Sequence, residues 1–479
     1  MLDLLQETVD RAAGHCAYAE ARHVHTRTEA LAVHDELVDA ADADESEGIG
    51  VRVLVGGAWG FAATRDVSSA GAELALERAL ALAAAQPAAA VRPLAPVAPS
   101  TGHWEGPCAI DPFAIALEER LAHLFAAVAA MRGDARIIRA EANAHLVRTH
   151  KALATSDGTA ITQSVTECGA GIEATAAGGG ELQVRTYPTS HGGSVAAAGW
   201  EQVLELDLLG HAPRVAADAI ELLTAPELPA GRRTIVLHGE QLALQLHESI
   251  GHALELDRML LGEASYAGTS WVAPGDLTAN LRYGSGVLSV SADATLPGGL
   301  GTFGWDDEGV PGGRTMLVEN GILRAALSDR QSAAAVGLER SGGCARAEGF
   351  ARQPIVRMTN VSVEPGAAGS LADLLADTDD GLYLESNRSW SIDDRRWQFQ
   401  FATEVAREIR RGELGRLYRN PSYAGITPRF WGSLDAVCGP EEWGLWGLVN
   451  CGKGEPGQIM QVSHGTAPAR FRDVQVGVA

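Results

Sequence analysis

Apolar residues recur at helical spacing over residues 3–22 (Leu4, Leu5, Val9, Ala12, Ala13, Cys16), which predicts that the chain opens with an amphipathic helix. Residues 48–55 and 58–62 flank Gly56-Gly57 and predict a β-hairpin with a glycine turn. Residues 73–86 are dense in Ala, Leu and Glu and predict a helix that stops before Pro87. The Pro/Ala-rich stretch containing Pro87, Pro93, Pro96 and Pro99 reads as a stiff surface connection. Asp111-Pro112 then caps a helix running to about Arg132, with proline at its first position. From residue 136 to 187 the period falls to two, interrupted by a Ser156-Asp157-Gly158 turn, as expected of successive antiparallel strands. Residues 201–223 return to helical spacing.

The stretch 224–231, with Pro226, Pro229 and Gly231, is the best boundary in the chain and divides it into domains 1–225 and 226–479. Beyond it lie a strand at 233–237, a helix at 239–257, and strands at 286–291, 355–361 and 397–402, with a hairpin turning at Asn320-Gly321. The class expected is α+β: an N-terminal α/β domain and a mainly β C-terminal domain with one helix embedded in it.

A chain of 479 residues exceeds what one core usually supports, in keeping with two domains. Its 46% hydrophobic and 21% charged residues are those of an ordinary globular protein. A formal charge of −23 argues against nucleic acid or an anionic membrane as partner. No apolar run approaches the roughly 20 residues of a membrane span, and Asp3 and Glu7 stand where a signal peptide carries bases, so a cytoplasmic location is expected. The six cysteines, Cys16, Cys108, Cys168, Cys344, Cys438 and Cys451, form no Cys-x-x-Cys pair and read as free thiols. Almost every basic residue is arginine, the exceptions being Lys151 and Lys453.

The chemistry concentrates in the embedded helix, at Leu246-His247-Glu248-Ser249-Ile250-Gly251-His252-Ala253. Two histidines with a glutamate after the first are similar to the zinc-protease helix, in which imidazoles bind the metal and the carboxylate activates water. There the histidines are four apart and about 40° from each other around the axis; residues five apart, as here, stand about 140° apart on a regular α-helix. Two local distortions would bring His252 round: a π-bulge, which absorbs one extra residue, or a break at Gly251. Without either, the pair is two unrelated surface histidines.

Other donors need weighing. His145 and His150 are five apart on a predicted strand and face opposite sides, so they do not make a pair. Asp306-Asp307-Glu308 precedes a Pro-Gly-Gly turn and fits a solvated or backbone-capping cluster better than a cation site. A third donor to join His247 and His252 is sought among Asp306, Asp307, Glu308, His464 and Cys451. Cys451 lies among glycines and near Lys453, a cation that would favour its thiolate, although a lone cysteine is ordinarily a small buried hydrophobe.

Taken together, Glu47-Gly48-Ile49-Gly50-Val51-Arg52 with Gly60-Phe61-Ala62, the segment His247 to Glu255, Asp306-Asp307-Glu308-Gly309, Glu319-Asn320-Gly321-Ile322-Leu323, Arg357-Met358-Thr359-Asn360 and Cys451-Gly452-Lys453 resemble the TldD/PmbA family of metallopeptidases. The matching segments run in order along nearly the whole chain, and the HExxxH places it with the metal-bearing subunits of that family. The resemblance implies His247, His252 and Cys451 as Zn2+ ligands and Glu248 as the catalytic carboxylate. It also implies a dimer, commonly with a metal-less PmbA-type sister subunit, around a cavity that admits extended peptides. The implied activity is zinc-dependent hydrolysis of unfolded or extended peptides, in particular trimming of the leader from ribosomally made precursors. The residues by themselves leave open a peptide-binding subunit with structural zinc and a metal-dependent tailoring hydrolase. Trp431, Trp443 and Trp446 crowd the C-terminal region with no role assigned by sequence.

Overall fold

The computed structural model of the chain describes residues 1–87, 93–262, 264 and 268–477. Part of the Pro/Ala-rich connection, residues 88–92, lies outside them. The opening helix, α1 (Leu2–Ala12), is shorter than its apolar spacing predicts. The chain leaves helical geometry at Ala13 (ψ 131°), and Gly14, at φ +80°, completes a turn closed by the His15 N–H on the Ala12 carbonyl, from which the chain passes into a long strand that begins at Tyr18.

The first half builds one sheet. Its strands are β1 (Tyr18–His34), β2 (Leu37–Val55), β3 (Ala58–Thr64), β4 (Thr101–Glu105), β5 (Ile137–Thr155), β6 (Ala160–Gly178), β7 (Glu181–Tyr187) and β8 (Ser194–Ala196). The order is β3-β2-β1-β5-β6-β4, with β7 and β8 also on β6, and every pairing but β4–β6 is antiparallel. The acidic residues before Gly48 belong to β2, because β1 continues opposite them and supplies partners: His25 meets Glu45 at 2.6 Å and His23 meets Glu47 at 2.9 Å.

Alternation assigns the two faces of this sheet different tasks. Ala19, Ala21, Ile49, Val51, Ala152 and Ala154 pack under α1 and α2 (Ser69–Ala85), whose start is capped by Ser68. Farther along, Leu146, Cys168, Ala170 and Ile172 pack under α3 (Leu117–Met131) and α5 (Leu208–Leu222). The predicted helix from Pro112 is divided: Asp111 caps a single 3-10 turn, Pro112–Ala114, and α3 begins three residues later, at Leu117. The helix expected at 201–223 is divided likewise, into α4 (Glu201–Glu205) and α5, at Asp207 with φ +45°. The other face of the sheet, with Val24, Val147, Lys151 and Glu167, is turned toward the second half of the chain.

The second half carries β9 (Gly231–Leu237), α6 (Gly239–Leu246), β10 (Val290–Asp293), β11 (Arg314–Glu319), β12 (Ile322–Leu323), the short pair β13 (Ala345–Arg346) and β14 (Ile355–Val356), and β15 (Asn360–Val363). Then come β16 (Asp380–Ile392), β17 (Gln398–Arg410), β18 (Glu413–Arg419), β19 (Ser422–Ile426), β20 (Leu434–Val437), β21 (Gly444–Lys453), β22 (Gln458–Thr466) and β23 (Ala469–Val476). The strand predicted at 286–291 forms four residues later, and that predicted at 355–361 is split between β14 and β15.

One sheet runs β12-β11-β10-β15-β22-β21, and the other β16-β9-β23-β19-β17-β18. Because β16 also pairs with β17, five strands of the second sheet close on themselves. α6 packs against β15, β21 and β22 of one sheet and β16 of the other, and its eight residues are all buried. Both faces of the helix are thus enclosed, and its polar residues Glu240, Gln241 and Gln245 are buried with the rest.

Candidate metal centre

The eight-residue helix α6 gives way at His247 to a π-turn, His247–Gly251, and then to a 3-10 turn, His252–Leu254. The His252 N–H donates to the carbonyl of His247, five residues back rather than four. One extra residue in the turn brings the two histidines to the same side, with ring centroids 4.6 Å apart. The first of the two distortions the spacing called for is therefore the one present.

Its causes are local. A π-turn widens the helix and loosens the backbone bonds, so side chains must hold it. Tyr283 Oη donates to the Ser249 carbonyl at 2.6 Å, and Trp431 Nε1 donates to the Ser249 hydroxyl at 2.9 Å. Gly251 contributes by close approach: a Cβ there would lie 2.3 Å from Met358 Sδ. Trp431 thus braces the motif. Trp443 donates from Nε1 to the Val363 carbonyl, and Trp446 packs edge-on to His238 at the start of α6.

Cys451, on the edge strand β21, faces this turn. One donor atom from each of His247, His252 and Cys451 lies within 4.8 Å of the other two, and Cys451 Sγ is 3.7 Å from His252 Nε2. All three residues are at most 4% exposed. Ligands at about 2.0–2.3 Å around a tetrahedral ion stand roughly 3.5 Å apart, so the Cys451–His252 edge already has the right length.

The far sides of the rings decide which nitrogens face inward. His464 Nδ1 lies 2.8 Å from the Val361 carbonyl, which can only accept, so Nδ1 carries the proton and His464 Nε2 is an acceptor. That Nε2 is 2.8 Å from His247 Nδ1, which must therefore donate, leaving the lone pair of His247 on Nε2. His252 Nδ1 is 3.0 Å from Glu255 Oε2, which leaves its lone pair on Nε2 too. Burial pushes the ionisation of both His247 and His252 down to about 4, so the rings are neutral, as a ligand requires.

Around this core the charges are arranged in layers. Burial raises the Cys451 thiol, but the Arg357 guanidinium and His252 outweigh it, and the thiol ends below its ordinary value. Arg357 donates to the Cys451 carbonyl, whereas Lys453, the cation expected from sequence to serve the thiol, turns elsewhere. Its Nζ is 2.8 Å from Asp257 and 3.4 Å from Glu255. Glu255 also receives Arg258 Nε at 2.6 Å; burial would raise its carboxyl, but Lys453 and Arg258 hold it well below the usual range. The lysine therefore acts on His252, through Glu255.

Glu248 occupies the position beside His247 without joining the donor set. Its Oε1 accepts from Trp390 Nε1 at 3.0 Å and its Oε2 from Arg396 at 2.8 Å. Trp390 lies on β16 and Arg396 in the turn to β17, so this hairpin clasps the carboxylate. His191, from the loop between β7 and β8 of the first half, packs 5.4 Å from the Trp390 ring and is kept neutral by burial, near 4.

The remaining candidates fall outside. Asp306, Asp307 and Glu308 are not solvated but at most 4% exposed, and they do cap backbone: Asp306 accepts from Glu308, Val310 and Ala345 N–H, Asp307 from Ala347, Glu308 from Arg330. Their charges are met by Lys151 on Asp307 and Arg52 on Glu308. His464, expected in a flexible segment, is fully buried in β22 and orients His247. His145 and His150 face opposite sides of β5, the first toward a cavity and the second stacked on His25. Trp390, Arg396 and His191 carried no sequence signal; His464 was weighed only as a metal ligand, and Glu255 and Arg357 lay within the segments of the family resemblance without an assigned role, although Glu255 stands three residues after His252, the spacing of neighbours on a helix.

The chain matches three family descriptions: PmbA/TldA metallopeptidase domain 1 over residues 19–83, the central domain over 110–225 and the C-terminal domain over 230–478. It is 28% identical over 460 residues to a metalloprotease of Methanothermobacter thermautotrophicus, covering 96% of this chain and 95% of that one. It is also 28% identical to a zinc metalloprotease TldD homolog of Saccharolobus solfataricus, over 52% of each chain. In fold it is similar to a putative modulator of a DNA gyrase from Thermotoga maritima, with TM-score 0.77 and 16% identity over 99% of both chains.

Proposed function

This chain belongs to the PmbA/TldD metallopeptidase family, and from that premise we propose that it is a zinc-dependent peptidase of unfolded or extended peptides, acting in leader removal from ribosomally made precursors. The observation that carries the proposal is the convergence of His247, His252 and Cys451 on one buried point, with the Glu248 carboxylate beside it.

His247 and His252 through Nε2, and Cys451 through Sγ, would hold the ion. Two neutral imidazoles and one thiolate are a donor set suited to zinc, and three protein ligands leave one position open, as catalytic sites do. Bound there, the metal supplies a Lewis acid that polarises a peptide carbonyl and acidifies water. The chain's own groups do the rest. Glu248 accepts the proton of the attacking water on a carboxylate oxygen and returns it to the leaving amine nitrogen. Trp390 and Arg396 fix the direction of that carboxylate, and one of these contacts is given up when the carboxylate turns to the water. His464 and Glu255 keep the two imidazoles in the tautomer that offers Nε2. His191 presents a neutral imidazole from the first half of the chain, suited to donate a hydrogen bond to the substrate.

The proposal extends to assembly: a dimer, with a second copy or with a metal-less sister subunit, restricts entry to extended chains. Light scattering on the active protein checks this, and a monomer that cleaves peptides efficiently contradicts it.

Glu248→Gln tests the chemistry. The variant keeps its metal by elemental analysis and loses peptidase activity by about 10³–10⁴-fold, as when a general base is removed. Full activity would assign the centre a structural role.

A further inference from the structure

The face of the first sheet turned away from its helices is the floor of a cavity of about 470 Å3, whose roof comes from the second half of the chain. His247, Glu248, His252 and Cys451 are not among its lining residues. On the floor, cross-strand register sets Thr28, Val147 and Glu167 in one row and Thr26, Thr149 and Val165 in the next.

The charged side chains that line this space have their hydrogen-bonding groups engaged, with one exception. Lys151 Nζ is 3.1 and 3.2 Å from the two oxygens of Asp307. Arg346 donates to the carbonyls of Met358, Gln461 and Leu300, and Arg352 to that of Gly457. Glu348 accepts the Ile459 N–H. Glu167, only 7% exposed, has no side-chain hydrogen bond and no ion pair within 4.0 Å among the described residues. Burial pushes its carboxyl up to about 7; Arg346 and Lys151, beyond ion-pair distance, offset only part of that.

A carboxylate buried without a partner is costly to leave so, and it faces space large enough for a side chain or small molecule. Four aromatic residues, Trp104, Phe303, Trp305 and Phe350, line the same space, and ring faces attract cations. The neighbouring cations are already engaged, so an anionic guest would have to displace their contacts. A chain of net charge −23 favours the approach of cations as well.

We propose that this cavity binds an ammonium or guanidinium group on an apolar stem, with Glu167 as its counter-charge and the aromatic residues around the stem. A basic side chain of an extended peptide and a free alkylamine share that chemistry. The site is distinct from the metal centre and stands or falls independently of the hydrolytic proposal.

The test is calorimetric titration of the full-length protein, as purified, at pH 8 with Nα-acetyl-lysinamide, its uncharged isostere Nα-acetyl-norleucinamide, and butylamine. The lysine amide should bind about tenfold or more tightly than the norleucine amide, the discrimination a charge-assisted hydrogen bond provides. Butylamine bound as tightly as the lysine amide identifies free amines as the source; weaker binding identifies peptide side chains, and both uphold the site. Glu167→Gln should abolish the preference while leaving zinc content and hydrolysis of uncharged peptides unchanged. Val147→Phe, which fills the cavity directly across from Glu167, should abolish binding while Glu167 remains. Equal binding of the two amides by the unaltered protein, or a preference that persists in Glu167→Gln, would overturn the proposal.

Discussion

Two buried clusters in this chain are rich in metal-binding atoms, and they differ in where their free valences point. In Asp306-Asp307-Glu308 the carboxylates are spent on backbone N–H groups and on Lys151 and Arg52. In His247, His252 and Cys451 the protein engages the outer atoms, through His464, Glu255 and Arg357, and leaves Nε2, Nε2 and Sγ facing one another. Burial and donor count do not separate the two. What separates them is whether the partners of the donors lie on the near side or the far side.

The contrast is broken most severely by removing an inward donor. Cys451→Ser should lose most of its metal and at least about 10³-fold in activity, while Cys438→Ser, also buried but in β20–β21 connecting structure away from the centre, should lose neither; elemental analysis with a peptide assay checks both. Next in size is loss of an outer support. Glu255→Gln should weaken metal affinity by about 10–100-fold, read by competition with a chromophoric chelator, because His252 loses its carboxylate partner and Lys453 is left poorly matched. At the acidic cluster the same kind of change should act on folding alone. Asp307→Ala strands Lys151 and should cost about 3–5 kcal/mol of stability in denaturant titration, with metal content per folded chain unchanged. A fall in metal content there would erase the distinction between the clusters.

Much of this was legible in sequence where it was local. The HExxxH spacing demanded a distorted helix, and the π-turn at His247–Gly251 supplies it. Alternation from 136 to 187 gave β5, β6 and β7, and Asn320-Gly321 joins β11 to β12. The errors in local structure came from single residues that break a periodic pattern, such as Ala13 and Asp207, where the backbone leaves helical geometry regardless of apolar spacing. The surroundings of the centre were not legible because they are assembled by pairing distant strands. His464 reaches His247 only because β22 lies beside β15, and Arg396 reaches Glu248 only because the β16–β17 hairpin folds over α6. The nearness of Lys453 to Cys451 in sequence was misleading for the same reason: what Lys453 meets is set by the 255–257 turn packed beneath it, not by its neighbours in the strand.

The central claim, that Cys451 joins His247 and His252 at one ion, is tested most directly by cobalt substitution. The cobalt-loaded, active protein should show an intense sulfur-to-metal charge-transfer band in the near ultraviolet, and Cys451→Ser loaded in the same way should not. Absence of the band in active cobalt protein, or its persistence in Cys451→Ser, would contradict the assignment.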